Sequence, residues 1–212
     1  MSCLHNSVCI NILIILPICH PDHRKCPCPL LYLSLLRRYN TESSRKISLL
    51  RQGDIMADKR ITDSLTEQIH ILRYEDINGS GRLFGGTLVS WIDEVAVAVA
   101  IRHCGTQVTT ASIDNLQFKE AAYLGDLLVI VGRITYVGRT SMEVRVDSYI
   151  EKSDGTRHPI NRAFLTLVSI GTDDTPIPVE SKLILSNSAE ETEWENAKKR
   201  VELRKQRRRE GF

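Results

Sequence analysis

The 212-residue chain has little net charge. Its 28 Lys and Arg stand against 26 Asp and Glu, and the +2 balance gives no electrostatic basis for a dedicated nucleic-acid binder. It has no uninterrupted apolar run of membrane-spanning length. The stretch Ile10–Leu16 stops at Pro17, far short of the ~20 residues a bilayer requires. No Lys or Arg precedes that stretch and no clean small-x-small cleavage site follows it, so a secretory signal fits poorly. Cysteine is scarce beyond the start: Cys3, Cys9, Cys19, Cys26 and Cys28 are early, and Cys104 stands alone. A composition of 42% hydrophobic and 25% charged residues excludes a mostly disordered chain, a collagen-like chain and a disulfide mini-protein. No Gly-x-Ser-x-Gly elbow occurs, which argues against a serine hydrolase of that type.

The chain reads as two unlike pieces. Residues 1–55 carry seven basic groups and three acids, a net of +4, leaving −2 for residues 56–212. Cys19, His20, His23, Cys26 and Cys28 are donor types that zinc accepts, but their cramped spacing matches no standard finger. No metal site is expected there. Met56-Ala57-Asp58-Lys59 resembles a natural protein start. Residues 1–55 are therefore read as an extension outside the folded domain.

Residues 64–180 carry the expected core. Leu65–Tyr74 reads as a weak first strand, since both of its faces are mixed. Asn78-Gly79-Ser80-Gly81 is turn chemistry. No Gly-Lys-Ser/Thr follows it, so it is not a phosphate loop, and Phe84 stands where a dinucleotide fingerprint would need its third glycine. Gly86 to His103 is apolar nearly all round and predicts a helix buried on most sides, closed by Gly105. Four strand-like runs follow at Val108–Phe118, Asp126–Tyr136, Ser141–Glu151 and Asn161–Ile170, with turns at Gly138-Arg139 and Asp154-Gly155. That order is an α+β plan in which one antiparallel sheet wraps one long central helix. Its open sheet edges call for cover, and edge pairing into a homo-oligomer is the simplest form of cover.

Asp93 and Glu94 lie in the middle of this apolar helix. Carboxylates are seldom buried without a partner or a task, so at least one should face a site; a solvated or interface edge is the alternative. Gly85-Gly86 opens the helix, where free N–H groups and the dipole favour a carbonyl oxygen gaining charge. A plain tight turn is the commoner use of such a pair. Asp93 lies about 10 Å down the helix from Gly86, too far for both to touch one carbon in one chain. If both act, a partner chain supplies one of them. Lys119, Arg139, Thr140 and Ser141 lie in or near turns as candidate phosphate contacts, with ordinary solvation as the alternative. His70, His103 and His158 have no acid at a telling spacing, and Cys104 reads as core.

Residues 181–212 form a charged tail. Glu190, Glu191, Glu193 and Glu195 precede a run of Lys and Arg, an order that suits a helix dipole. Trp194, Ala197 and Val201 fall at helical spacing and offer a docking face, but a solvated helix with a frayed basic end is the expectation.

Phe84-Gly85-Gly86…Trp91-Ile92-Asp93-Glu94-Val95-Ala96 resembles the hot-dog-fold acyl-CoA thioesterases. So do Ala100–Cys104, Thr110–Asp114 and Gly138–Val144. The likeness covers about residues 64–180 and is greatest to the cytosolic acyl-CoA hydrolases and the bacterial broad-specificity acyl-CoA thioesterases. It implies a double hot dog, often a trimer of dimers, in fatty-acid metabolism in the cytoplasm. It implies hydrolysis of acyl-CoA to free acid and coenzyme A at a dimer interface, with no metal or other cofactor, no nucleic acid and no membrane. In that reading Asp93 is general base or nucleophile and the Gly85-Gly86 backbone polarises the thioester carbonyl. Asn78 matches an asparagine found before the glycine pair in bacterial members, and Arg139-Thr140-Ser141 lies near the coenzyme A phosphates. Some relatives carry asparagine or aspartate where this chain has Arg82. That leaves open which partner-chain polar group assists Asp93, and makes Arg82 a candidate phosphate contact. A non-catalytic acyl-CoA-binding or sensor module on the same fold is the rival reading. A hot-dog dehydratase is a second, but the helix start lacks the histidine it would need.

Overall fold

A computed structural model describes residues 57–211. The extension 1–55 and its cysteine and histidine donors lie outside the described residues. The elements are β1 (Lys59–Arg60), α1 (Ile61–Ser64), β2 (Thr66–Ile71), α2 (Gly85–Cys104), β3 (Gln107–Phe118), β4 (Leu127–Val137), β5 (Ser141–Glu151), β6 (Arg157–Ile170), β7 (Leu183–Ile184) and α3 (Ser188–Glu210). Five strands form one sheet in the order β2-β4-β5-β6-β3, every neighbouring pair antiparallel. The predicted α+β plan, a sheet wrapped around one helix, is the observed one.

Alternation along β5 divides the sheet into two faces. Met142, Val144, Val146 and Ile150 are buried in the core with Leu88, Ile92, Val95 and Val99 of α2. Glu143, Arg145 and Asp147 occupy the opposite, outer face. Helix and sheet meet most closely at Gly132 on β4. A Cβ there would stand 2.6 Å from Val95 Cγ1 and 2.9 Å from Val99 Cγ2, so only glycine fits beneath these two β-branched residues. Gly105 ends α2 in the left-handed region at φ 68° and donates its N–H to the Ile101 carbonyl. Lys59 Nζ donates to the last carbonyls, Arg102 O and His103 O, at 2.6 and 3.0 Å, where the dipole favours a cation.

Four findings differ from the sequence expectations. The first strand stops at Ile71, and Tyr74–Asp76 forms a 3-10 turn whose N-terminal N–H, on Arg73, is bound by Asp76. The central helix is buried along one stripe only, and Ile101 on its other side is 44% exposed in the single chain. The short β1 and β7 pair in parallel, a contact with no periodic signal in two-residue strands.

The tail is docked and not solvated. Helix α3 lies on the outer face through Glu193, Trp194, Ala197, Arg200 and Arg204, which recur at helical spacing. Ala197 is fully buried, Trp194 packs on Tyr136 with centroids 4.6 Å apart, and Arg200 sits 3.8 Å from the centre of the Phe164 ring. Beneath them the Glu143 side chain, with no solvent exposure, accepts from Thr135, Arg200 and Arg204 at 2.8 Å. Arg204 also reaches Asp114 on β3 at 3.1 Å, across β6. Burial pulls the Arg200 guanidinium pKa down, but Glu143 and Glu193 more than offset it and hold it above the usual arginine value. The docked face is largely charged, and its counter-charges lie on distant strands, so one-dimensional patterning resembles a solvated helix. No described helix is long and apolar enough to cross a membrane.

Candidate functional site

The carboxylate in mid-helix meets a strand hydroxyl. Thr110 Oγ1 donates to Asp93 Oδ1 at 2.6 Å. Asp93 is half-buried while Glu94 is exposed, so Asp93 alone of the pair is enclosed. Thr110 faces the helix because the β3–β6 pairing skips Ala111: Thr110 stands opposite Leu167, and Ser112 opposite Thr166. Without that bulge Thr110 and Ser112 would share a face. With it, Thr110 turns to α2 and Ser112 to the outer side, a re-aiming that bulges commonly perform. Among the described residues no donor reaches Asp93 Oδ2.

A separate cleft of about 330 Å³ opens at the start of α2, lined by Asn78, Arg82, Gly85, Leu88, Phe118 and Lys119 among others. Asn78 is locked in its turn: its Oδ1 accepts from Ser80 N at 2.9 Å and Arg82 N at 3.2 Å. Its backbone closes the same turn with Arg82 and Gly81. The Nδ2 is left as a fixed donor with no partner among the described residues. Phe84 occupies the N-cap without a side-chain cap, so the first-turn N–H groups of Gly85 and Gly86 remain available. A Cβ at Gly85 would meet the Phe118 ring at 3.3 Å, and one at Gly86 would meet the Phe84 ring at 2.7 Å. Both glycines therefore keep the mouth of the helix open.

The structure brings Asn78, Arg82, Gly85 and Lys119 together and places Asp93 elsewhere. Ile160 lines the cleft, whereas Thr110 pairs with Leu167 seven residues further along β6, roughly 20 Å away at strand rise. The turn Arg139-Thr140-Ser141 lies at the Asp93 end, since Ser141 pairs with Val168. One chain thus holds its carboxylate and its set of N–H donors about 12 Å apart along α2, too far for both to reach one reacting carbon. The sheet has two edges, β2 and β3; β3 is the one that runs from Thr110 to the cleft, and Ile113 and Phe118 on it are 38% and 53% exposed.

Thr110 lies within a stretch that carries the family resemblance, but nothing in residue type or spacing singles it out. A lone Thr in a strand has no chemical signature, and the bulge at Ala111 is unreadable from alternation. His70 has partners the sequence hid: it stacks on Trp91 at 3.9 Å, and burial lowers its pKa against the opposing charges of Asp76 and Glu94.

Comparison with known proteins supplies the family. The thioesterase superfamily matches residues 80–155. The cytosolic acyl coenzyme A thioester hydrolase of Rattus norvegicus is 30% identical over 175 residues, which are 77% of this chain and 45% of that protein. The chain spans less than half the length of the mammalian relatives it matches. The acyl-CoA hydrolase of Staphylococcus aureus, solved with butyryl coenzyme A, coenzyme A and coenzyme A disulfide, is 32% identical with a TM-score of 0.68, covering 72% of this chain and 93% of that one. A hexameric acyl-CoA thioesterase solved without ligand is 35% identical with a TM-score of 0.68, covering 72% and 97%. Solved variants of the Staphylococcus aureus enzyme replace an asparagine, an aspartate and a threonine with alanine. In that enzyme the asparagine stands 15 residues before the aspartate and the threonine 17 after it, the same intervals that separate Asn78, Asp93 and Thr110. The chain belongs to the thioesterase superfamily, among the hot-dog-fold acyl-CoA thioester hydrolases.

Proposed function

We propose that this protein hydrolyses acyl-CoA thioesters to free acid and coenzyme A, at sites shared between two chains of a homodimer. The observation that carries the proposal is the division of the machinery. Asp93 with Thr110, and Asn78 with the Gly85-Gly86 backbone, stand apart by about 12 Å along α2, at different levels of the edge strand β3. Antiparallel pairing of two β3 edges lays the Thr110 end of one chain against the Phe118 end of its partner, so a carboxylate meets a donor cradle twice per dimer. The exposed side of α2 gains cover in the same step.

In the reaction, Asp93 takes a proton from water as the water oxygen bonds to the thioester carbon. The carbonyl oxygen becomes an oxyanion, held by the partner chain's glycine N–H groups and asparagine amide. Collapse breaks the C–S bond. The proton on Asp93 passes to the departing thiolate, giving coenzyme A and the free acid. Thr110 fixes one carboxylate oxygen and leaves Oδ2 for the water. Attack by Asp93 itself, through an acyl-aspartyl anhydride, is the alternative covalent route. Arg82, Lys119 and the Arg139-Thr140-Ser141 turn supply positive charge and hydroxyls for the coenzyme A phosphates. The assembly is a trimer of dimers, in keeping with the hexameric relative, and the cytoplasm is its place of work.

A thiol-release assay across short, medium and long acyl-CoAs tests the activity. Thiol release lost in Asp93→Ala, with the oligomer intact by gel filtration, supports the reading. Tight binding of acyl-CoA without thiol release would instead make the protein a sensor module.

A further inference from the structure

Phe118, the last residue of β3, lines the cleft and is half-exposed in the single chain. Its ring rests against the first turn of α2. A Cβ at Gly85 would stand 3.3 Å from ring atom Cζ, and 3.7 and 3.8 Å from Cε1 and Cε2. Glycine at 85 therefore lets the tip of the ring approach the helix backbone. Phe84 does the same at Gly86, with its Cε1 2.7 Å from where a Cβ would stand. Two phenyl rings thus flank the two backbone N–H groups that open α2 uncapped.

Phe118 also faces the partner chain. Its side chain and that of Thr110 both point to α2, one against Gly85 and the other on Asp93. Antiparallel pairing of two β3 edges, in the register that brings Asp93 to the donor cradle, sets Phe118 opposite the partner's Thr110. Residues directly opposite in such a pair share a face, with Cβ atoms about 4.5–5.5 Å apart. The ring then touches its own glycine turn on one side and the partner's Thr110, which holds the partner's Asp93, on the other.

We infer that Phe118 is a substrate-contacting wall of the shared site: its ring lies against the thioester, between the glycine N–H groups of its own chain and the partner's Asp93, and excludes bulk water where the oxyanion forms. The inference rests on the thioesterase reading and its shared site. A dry wall matters there because N–H groups stabilise an oxyanion more strongly in a low dielectric than in water.

Thiol release from the acyl-CoA that the wild-type protein hydrolyses fastest tests this, with gel filtration of each variant. Phe118→Gln keeps the bulk of the side chain but draws water, and should lower kcat about tenfold with KM within about threefold of wild type. Phe118→Leu keeps the wall dry and should stay within about threefold in kcat. Where Phe118→Gln weakens the dimer, Phe118→Tyr decides. It keeps the ring but adds a hydroxyl at Cζ, the atom nearest Gly85, and should lower kcat about fivefold. Wild-type kcat in the variant that keeps the dimer, or equal losses in that variant and Phe118→Leu, would overturn the inference.

Mixing shows which Asp93 the ring serves. Asp93→Asn and Phe118→Gln chains, reassorted one to one, place the Asp93 of one chain against the intact Phe118 and donor cradle of the other. Activity should reach about a quarter of wild type, against about one-twentieth if Phe118 serves the Asp93 of its own chain. The lower value after confirmed subunit exchange would overturn the inference. Recovery in a mixture of Asp93→Asn and Asn78→Asp chains would then leave the shared-site reading standing without it. A wild-type protein that releases no thiol from any acyl-CoA would overturn both.

Discussion

The Thr110 hydroxyl lies 2.6 Å from Asp93 Oδ1 and donates to it, joining strand β3 to the middle of helix α2. This bond orients the one enclosed carboxylate on the helix. It also binds that carboxylate to the strand whose edge is open, so pairing along β3 would set the geometry of the site.

Removing the carboxylate tests its role directly. Asp93→Asn keeps the size and an oxygen able to accept from Thr110, but removes the base, and should lower kcat by about 10²–10⁴. Thr110→Val leaves the carboxylate in place and frees its rotamer, so a smaller loss is expected. Steady-state thiol release measures both. Wild-type turnover in Asp93→Asn would refute the assignment.

Asn78 offers a sharper substitution than alanine. Asn78→Asp keeps the oxygen that accepts from Ser80 N and Arg82 N, so the turn survives. It removes the Nδ2 donor and adds negative charge where an oxyanion forms, so kcat should fall by about 10² or more. Mixing inactive Asp93→Asn and Asn78→Asp chains then tests the shared site. Random reassortment rebuilds one intact site in each mixed dimer and should restore about a quarter of wild-type activity. No recovery after confirmed subunit exchange would mean that each chain builds its own site.

The sequence made the central helix legible because a long apolar run ended in Gly105, and the strands legible because turn residues separated them. Asp93 stood out since a carboxylate is costly in such a helix. Thr110 did not, because a bulge one residue away decides which face it takes. The tail was misjudged for a related reason. Arg200 and Arg204 look like solvent residues until Glu143 and Asp114, 57 and 90 residues earlier in the chain, fold beneath them.

That buried charge cluster predicts a stability effect. Glu143→Gln removes the counter-charge shared by Arg200 and Arg204, which are partly solvated, so the cost should be about 2–3 kcal/mol. Urea unfolding would measure it, and Trp194 fluorescence would report α3 leaving the sheet. An unchanged midpoint would show that the arginines find equal solvation elsewhere.

Gly132 predicts the opposite kind of failure, too much volume. In Gly132→Ala the new methyl would fall 2.6 Å from Val95 Cγ1 and 2.9 Å from Val99 Cγ2, and neither branched side chain has a free rotamer in a helix. Overpacking of this kind costs about 1–3 kcal/mol. Thermal unfolding should show a lower Tm, and an unchanged Tm would mean that α2 shifts off the sheet without penalty.

His103 ties stability to pH. Its side chain is fully buried; Nε2 lies 3.2 Å from the Ser181 carbonyl and fits a donor role, which leaves Nδ1 an unprotonated atom with no partner among the described residues. Protonating Nδ1 would bury a charge and an unpaired donor. Burial accordingly pushes the pKa below 6.5; Lys59 adds to this, while the Ser181 carbonyl and Asp63 oppose it. The unfolded chain binds a proton near pH 6.5 and the folded chain resists it. The stabilisation is therefore complete above pH 6.5 and declines as the pH falls through 6.5 towards the depressed folded value. His103→Gln keeps a donor for Ser181 but cannot titrate. Wild-type protein should lose more unfolding free energy than this variant between pH 7.5 and 5.0 in urea titrations. Part of the slope should persist in the variant, because His70 is also lowered by burial. Equal slopes in the two proteins would show that His103 takes up its proton as readily in the folded chain as in the unfolded one.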